Sequence, residues 1–175
     1  GNIYLSFQTV GHNLLPYKVF FGKSNYAVSP LPSQEFTNGY VVKFDQNGLF
    51  QEFKLLTAVV STIAADLKGD IFVICHNYDS DLLVFDGKSI DTFPMQQGVY
   101  LAKFIDFHNI SWSAKIGNIT YEYYNVIKID QNNDIITSSR FSNALDLSVN
   151  YSPQKITSVN NVDHLIAKVS DSGEI

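Results

Sequence analysis

A unit made of several strand-sized apolar segments occurs three times along the chain, and this repeat constrains the fold more than any other feature of the sequence. The clearest copy lies between Val59 and Trp112. Its apolar runs are rich in β-branched and aromatic residues and are bounded by Asp, Asn and Gly, which is typical of antiparallel strands joined by tight turns. We therefore predict one sheet of four short strands, formed by residues 59–65, 71–75, 82–85 and 99–104.

Three short motifs recur in the same order and support the repeat. The first opens the second strand of each copy, at Gly1-Asn2-Ile3, Gly69-Asp70-Ile71 and Asn133-Asp134-Ile135. Its spacing of roughly 64 to 68 residues is the kind of period that indicates a propeller or an array. The second places a lysine between two apolar residues, at Lys43, Lys103 and Lys168. The third matches residues 63–66 with residues 127–130.

Further motifs resemble the SBBP type of β-propeller repeat, a family of bacterial surface and secreted proteins that also occurs in large DNA viruses. They are Phe21-Gly22, Phe85-Asp86-Gly87, the segment 43–48 and Trp112-Ser113-Ala114-Lys115. The third copy departs from the family pattern, with Leu145-Asp146-Leu147 where Phe-Gly is expected. The resemblance implies an all-β fold, a propeller-like array of four-stranded antiparallel blades that is a segment of a larger propeller.

The repeat divides the chain into three units of one propeller segment. Residues 1–56 form the first unit, which lacks its first strand and carries a long insertion; residues 57–117 form a complete second unit, and residues 118–175 form the third. We expect the second strands, residues 71–75 and 135–138, to be central and buried. Propellers close with about four to eight blades, so we expect further repeats or other subunits to cover the open faces.

The recurring lysines suggest edge strands. A charged side chain on an outer strand discourages pairing with foreign strands, while its methylene groups cover apolar neighbours. We therefore interpret Lys43, Lys103 and Lys168 as structural residues of outer strands rather than as ligand-binding residues.

Composition excludes several classes of protein. Charged residues make up only 17% of the chain, and its net charge is -5. The sequence lacks the clustered basic residues that are typical of nucleic-acid binders. Cys75 is the one cysteine and lies in the most apolar run, so we expect a buried, unreactive thiol. No apolar run reaches the roughly 20 residues that span a bilayer. The chain opens directly on a strand pattern, so we expect no signal peptide.

The candidate metal and catalytic motifs have simpler structural interpretations. The segment 130–134 has the alternating oxygen ligands of a calcium loop, but Ile135 stands where that loop needs glycine, so we interpret it as a hairpin turn like residues 66–70. The four histidines share no spacing that indicates a zinc site: His12, His76, His108 and His164. We find no catalytic or cofactor motif. Glycosylation acceptor patterns begin at Asn109, Asn118 and Asn150.

These features together predict a non-enzymatic structural or interaction protein on a virion or cell surface. Its expected partners are other subunits or further repeats of the same polypeptide, and glycans are a second class of partner. The alternative is a carbohydrate-binding or adhesin module, and a third possibility is a propeller hydrolase or lyase. We expect specific contacts within residues 16–35 and 138–162. The candidate contact residues are Pro16, Asn25, Tyr26, Pro30, Pro32, Tyr78, Tyr121, Tyr123, Tyr124 and Tyr151.

Overall fold

The structure, a computed structural model, describes residues 1–9, 17–21, 24–28, 38–78, 81–107, 109–118, 125–147 and 154–175. Every regular element in these ranges is a β-strand. The strands are β1 (Ile3–Thr9), β2 (Tyr17–Phe21), β3 (Ser24–Val28), β4 (Asn38–Phe44), β5 (Phe50–Leu56), β6 (Val59–Ala65), β7 (Ile71–Asn77), β8 (Asp81–Phe85), β9 (Ile90–Pro94), β10 (Gly98–Ile105), β11 (Asn109–Gly117), β12 (Val126–Ile129), β13 (Ile135–Leu147) and β14 (Gln154–Val169). The all-β prediction is confirmed for the described part of the chain.

The strands of the described ranges form three antiparallel sheets and a separate hairpin. The first sheet has the order β1-β4-β5-β8-β9, the middle sheet β11-β10-β7-β6 and the third sheet β12-β13-β14. Strands β2 and β3 pair with each other. Among the described strands, no sheet closes on itself and no ring of blades is formed.

The middle sheet lies between the other two and is apolar on both faces. Val73 and Cys75 of β7 belong to the core shared with the first sheet, whereas Phe72 and Ile74 belong to the core shared with the third sheet. Every residue of β7 is buried. This explains the unbroken apolar run, because a strand covered on both faces has no solvent side to fill with polar residues.

The two predictions about second strands have different outcomes. Strand β7 is central in the middle sheet and fully buried, as predicted. Strand β13 is central in the third sheet, but its burial alternates along the strand. Ile135 is fully buried, whereas Ile136 is 42% exposed. The third sheet therefore has one face on the core and one face toward solvent, the arrangement of an outer layer.

Within the described residues, one five-residue turn occurs four times, in the segments 45–49, 66–70, 130–134 and 170–174. In each, the N–H of the first residue donates to the carbonyl of the fifth, and the N–H of the fourth donates to the carbonyl of the first. The fourth residue has a positive φ in all four turns: Gly48, Gly69, Asn133 and Gly173. Glycine and asparagine are the residues that tolerate this conformation at least cost.

The side chain of the first turn residue completes the motif. The Asp66 carboxylate accepts hydrogen bonds from the backbone N–H groups of Lys68, Gly69 and Asp70, at 2.9 Å each. Asp130 accepts from the N–H groups of Asn132 and Asp134 in the same way. The interpretation of segment 130–134 as a hairpin turn is confirmed.

The prediction of the four-stranded sheet was wrong for one of its strands. Strand β8 was expected as the third strand of the middle sheet, but it pairs with β5 and β9 in the first sheet. The reason is that β8 and β9 form their own hairpin, which crosses to the neighbouring sheet and buries Leu82 and Val84 in the shared core. The place in the middle sheet is taken by β10, and β11, which contains Trp112, completes it.

The edge-strand interpretation of the lysines was wrong for two of the three. Lys43 lies on β4, between β1 and β5, and Lys103 lies on β10, between β7 and β11. Lys168 lies on β14, which pairs only with β13 among the described strands. The lysines instead form ion pairs with carboxylates of neighbouring strands and turns, which explains why an interior strand accepts them.

Candidate interaction surface

The predicted contact residues fall mostly beyond what the structure describes. Asn25 and Tyr26 lie on β3, opposite Phe20 and Val19 of β2. Tyr78 follows the end of β7 and is half-buried. The others lie outside the described residues: Pro16, Pro30, Pro32, Tyr121, Tyr123, Tyr124 and Tyr151. A shared contact surface of these residues therefore stays a prediction.

Two polar side chains, those of Thr57 and Asn118, each join the end of one unit to a hairpin of the following unit. Thr57 follows β5 and bonds Leu83 of β8 twice: its N–H donates to the Leu83 carbonyl at 3.0 Å, and its hydroxyl accepts from the Leu83 N–H at 2.9 Å. We call this pair, and its counterpart at Asn118, the inter-unit clamps. In both, a side chain supplies hydrogen-bond partners to backbone groups of the neighbouring hairpin.

The second inter-unit clamp uses an amide instead of a hydroxyl. Asn118 follows β11, and its Nδ2 donates to the carbonyls of Ser142 and Ala144 while its Oδ1 accepts from the Ser142 N–H at 2.8 Å. These bonds span the irregularity of β13 at Asn143, which has a φ of 57°. The amide nitrogen of this glycosylation acceptor pattern is therefore engaged in the fold.

A buried ion pair fixes the last turn of the described chain to the middle sheet. Lys103 contacts Asp70 at 3.1 Å and Asp171 at 2.5 Å, and only 7% of its side chain is exposed. The indole N–H of Trp112 donates to the Asp171 carbonyl at 3.0 Å. Gly173 lies so close to the indole that a Cβ there would be 2.8 Å from Trp112 Cδ2. The turn 170–174 is therefore held in one position.

The electrostatics of this cluster favour both charged forms. Burial works against the Lys103 ammonium, but hydrogen bonds to Asp171 and Asp70 outweigh it and raise the pKa of Lys103. The hydrogen bond from Lys103 lowers the pKa of Asp171 below its usual value, and Lys68 adds to this effect from 3.3 Å. Both Lys103 and Asp171 are therefore charged near neutral pH.

A polar cluster at the middle and third sheets combines a serine, a histidine and an asparagine. The Asn125 amide contacts His76 Nε2 at 2.7 Å and donates to Ser61 Oγ at 3.2 Å. The Ser61 hydroxyl itself donates to the Ile74 carbonyl. These contacts connect β6 and β7 of the middle sheet with the residue that precedes β12 of the third sheet.

A cleft of about 420 Å³ opens where the middle and third sheets meet the β9–β10 connection. It is lined by Pro94, Met95, Gln96, Tyr100, Ser113, Lys115, Asn118, Ala144, Leu145 and Asp146. Burial lowers the pKa of Lys115, whose amine donates to the Gln97 carbonyl at 2.8 Å. Burial also raises the pKa of Tyr100, whose hydroxyl accepts the N–H of Gln96. No sequence motif predicts this cleft, because its residues come from separate strands.

Two candidate reactive side chains, Cys75 and His76, are buried away from solvent. Cys75 is buried, and burial raises the pKa of its thiol to about 12, so the reactive thiolate is scarce near neutral pH. His76 is also fully buried. The described residues contain no group of three or more His, Cys, Asp or Glu side chains that could hold a metal ion. Within those ranges, no helix is long and apolar enough to cross a membrane.

Comparison with known proteins gave no match, whether with protein-family models, with curated proteins or with solved structures. The resemblance to the SBBP type of repeat therefore stays a prediction.

Proposed function

We propose that the protein works by contact rather than by chemistry, as a structural or interaction protein within a larger assembly. The observation that carries the proposal is the outer edge of β14, a strand of 16 residues that pairs with β13 alone among the described strands. An unpaired edge presents a row of N–H and C=O groups to which another strand can add. The inter-unit clamps and the Lys103 ion pair support this proposal, because a fixed edge loses less conformational freedom on binding.

The repeated turn and the repeated clamps also support a propeller-like array. Each of the first two units ends on a strand whose following residue, Thr57 or Asn118, bonds a hairpin of the next unit. Such a unit-to-unit device extends an array without changing its geometry. The array is proposed to present its surface on a virion or cell, with other subunits or further repeats as partners.

The proposal is tested by the assembly state of the protein in its native source. We expect gentle extraction followed by size-exclusion chromatography to recover it in a complex much larger than a single chain. We also expect cross-links from Lys155 and Lys168, the lysines of β14, to a second polypeptide in mass spectrometry. Recovery as a free chain, together with turnover of a substrate that one point mutation abolishes, would overturn the proposal.

The cleft favours a second candidate, the binding of a saccharide. Lys115, Asp146 and Ser113 give it a cation, a carboxylate and a hydroxyl within one volume of about 420 Å³, which suits a ligand rich in hydroxyl groups. A glycan array tests this candidate, with Asp146→Asn expected to reduce any signal about tenfold or more. Asp91→Asn is the control, because Asp91 lies exposed on β9, away from the cleft lining.

A further inference from the structure

The cleft between the middle and third sheets holds a lysine that differs from the other shielded lysines of the described chain. Lys43, Lys54 and Lys103 are partly or fully buried, and each forms an ion pair with a carboxylate. Lys115 is partly buried as well, but among the described residues its amine bonds the Gln97 carbonyl, at 2.8 Å, and no carboxylate. Because a shielded ammonium without an anion is unfavourable, this position favours a ligand that brings an anion.

The side chain of Lys115 is held in a defined position. Gly98 lies against it, since a Cβ at Gly98 would be 2.6 Å from Lys115 Cε and 3.2 Å from its Nζ. The hydrogen bond to the Gln97 carbonyl uses one N–H group of the ammonium and leaves the others for a ligand. Burial lowers the pKa of Lys115, and the attraction of Asp146 offsets this only in part. An ammonium fixed in this way loses little conformational freedom on binding.

The charged groups at the mouth of the cleft add up to a positive charge. Asp146 is the carboxylate among the described lining residues, and its side chain is exposed. Lys155 of β14 is exposed and lies directly opposite Asp146 of β13. Residues directly opposite each other in an antiparallel pair carry their side chains on the same face, so Lys155 adds a second ammonium beside Asp146. The mouth is therefore positive, although the whole chain carries a net charge of -5.

The other lining residues suit a sugar ring. Met95, Tyr100 and Leu145 are buried and give the cleft an apolar part. Ser113 is partly buried and adds a hydroxyl group, and Asp146 adds a hydrogen-bond acceptor. Small-molecule sites combine apolar walls with a few polar groups in this way, and a sugar offers both an apolar ring face and hydroxyl groups.

We infer that the cleft binds an acidic saccharide, whose carboxylate or sulfate group pairs with Lys115 and whose hydroxyl groups bond Asp146 and Ser113. This inference rests on the saccharide candidate for the cleft and names the chemical class of the ligand. The anion supplies the partner that Lys115 lacks among the described residues, in a charge-assisted hydrogen bond. Lys155 adds to the attraction from the mouth of the cleft.

Four monosaccharides with the same ring test the role of charge: glucuronate, glucuronamide, glucose and glucose 6-sulfate. Each is titrated into the isotope-labelled full chain, and the amide signals of Lys115 and Asp146 are followed by NMR. We expect glucuronate, glucose 6-sulfate or both to bind about tenfold more tightly than glucose, because only they can pair with the ammonium. Glucuronamide keeps the shape of glucuronate without its charge and should bind like glucose. The preference between the two acidic sugars identifies the anion.

Two matched variants assign the binding to the cleft. Lys115→Gln removes the ammonium and is expected to reduce the affinity for the acidic sugars to that for glucose. Lys128→Gln makes the same change at an exposed residue of β12, away from the cleft lining, and is expected to leave binding unchanged. Circular dichroism verifies that both variants keep the β signal. The comparison of glucuronate with glucuronamide needs no variant, so it remains decisive if Lys115→Gln does not fold.

The inference is overturned if glucose and glucuronamide bind as tightly as the acidic sugars, or if the two lysine variants weaken binding equally. Equal binding of all four sugars that Asp146→Asn abolishes would overturn the acidic class and still support the saccharide candidate. Binding of none of the four would also overturn the inference, and the glycan array then decides the saccharide candidate. The contact function is tested separately by the size of the native complex, so the failures are distinguishable.

Discussion

At the scale of single residues, two equivalent lysines provide a comparison of buried and exposed ion pairs. Lys103 has 7% of its side chain exposed and contacts Asp70 and Asp171, whereas Lys43 is 19% exposed and contacts Glu52 at 2.9 Å. Removing one partner of a buried pair leaves an uncompensated charge. We expect Lys103→Met to lower the free energy of unfolding by about 3 kcal/mol in urea denaturation.

Lys43→Met is the matched control, because the same change on an equivalent strand removes a more exposed pair. We expect it to cost less than about 1 kcal/mol. Equal costs for the two variants would show that burial of the Lys103 pair does not determine its contribution.

Carboxylates in turns and ion pairs make the fold sensitive to acid. Hydrogen bonds lower four of their pKa values, from the Leu49 N–H to Asp45, the Ser89 N–H to Asp86, Lys168 to Asp130 and Lys103 to Asp171. A lowered pKa in the folded state contributes stability above the unfolded value of about 3.9, and this stability is lost as the pH falls through the folded pKa.

We therefore expect the urea midpoint to be constant near neutral pH and to fall below about pH 4. Asp171→Asn should be less stable at pH 7 and should lose less stability between pH 4 and pH 2 than the natural protein. The exposed residue Asp91 supplies the control, Asp91→Asn, which should follow the natural curve. A natural curve that rises on acidification would contradict the assignment.

At the scale of elements, the inter-unit clamp at Thr57 determines how β8 is held against the first sheet. Thr57 is 7% exposed, and its hydroxyl is the acceptor for the Leu83 N–H. Thr57→Val keeps the shape of the side chain but leaves that N–H without this acceptor. We expect a loss of about 1 to 3 kcal/mol in the free energy of unfolding and faster amide exchange at Leu83.

Thr57→Ser restores the hydroxyl and is the control for this prediction. We expect it to keep slow exchange at Leu83, with a smaller loss of stability from the missing methyl group. Fast exchange at Leu83 in both variants would show that the hydroxyl does not hold β8.

At the scale of the whole molecule, the middle sheet carries both cores, so its residues should matter more than those of the outer layer. Ile74 is fully buried in the core shared with the third sheet, whereas Ile136 is 42% exposed on the outer face of the third sheet. We expect Ile74→Ala to cost about 2 to 5 kcal/mol, because it removes packed atoms and leaves a cavity.

The same substitution at Ile136 is the control and should cost less than about 1 kcal/mol. Trp112, whose ring centroid is 6.2 Å from that of Phe72, reports on the same core by fluorescence. Similar losses for the two variants would contradict a central position for the middle sheet.

The sequence alone determined the local parts of this structure. It predicted residues 71–75 of β7 as a central, buried strand, because a strand covered on both faces favours an unbroken apolar run. It also predicted the turns at 45–48, 66–69 and 130–134, because an Asp at the first position and a Gly or Asn at the fourth satisfy the turn within five residues.

Only the tertiary structure decided which strands share a sheet and which charges meet. The apolar pattern of β8 fits an interior position of the first sheet as well as one of the middle sheet, and in the structure β8 pairs with β5 and is bonded by Thr57, 26 positions before Leu83. Likewise, Lys103 contacts Asp171, which lies 68 positions later in the sequence. Such contacts follow from the stacking of the layers, and a local pattern carries no information about which layer its partner belongs to.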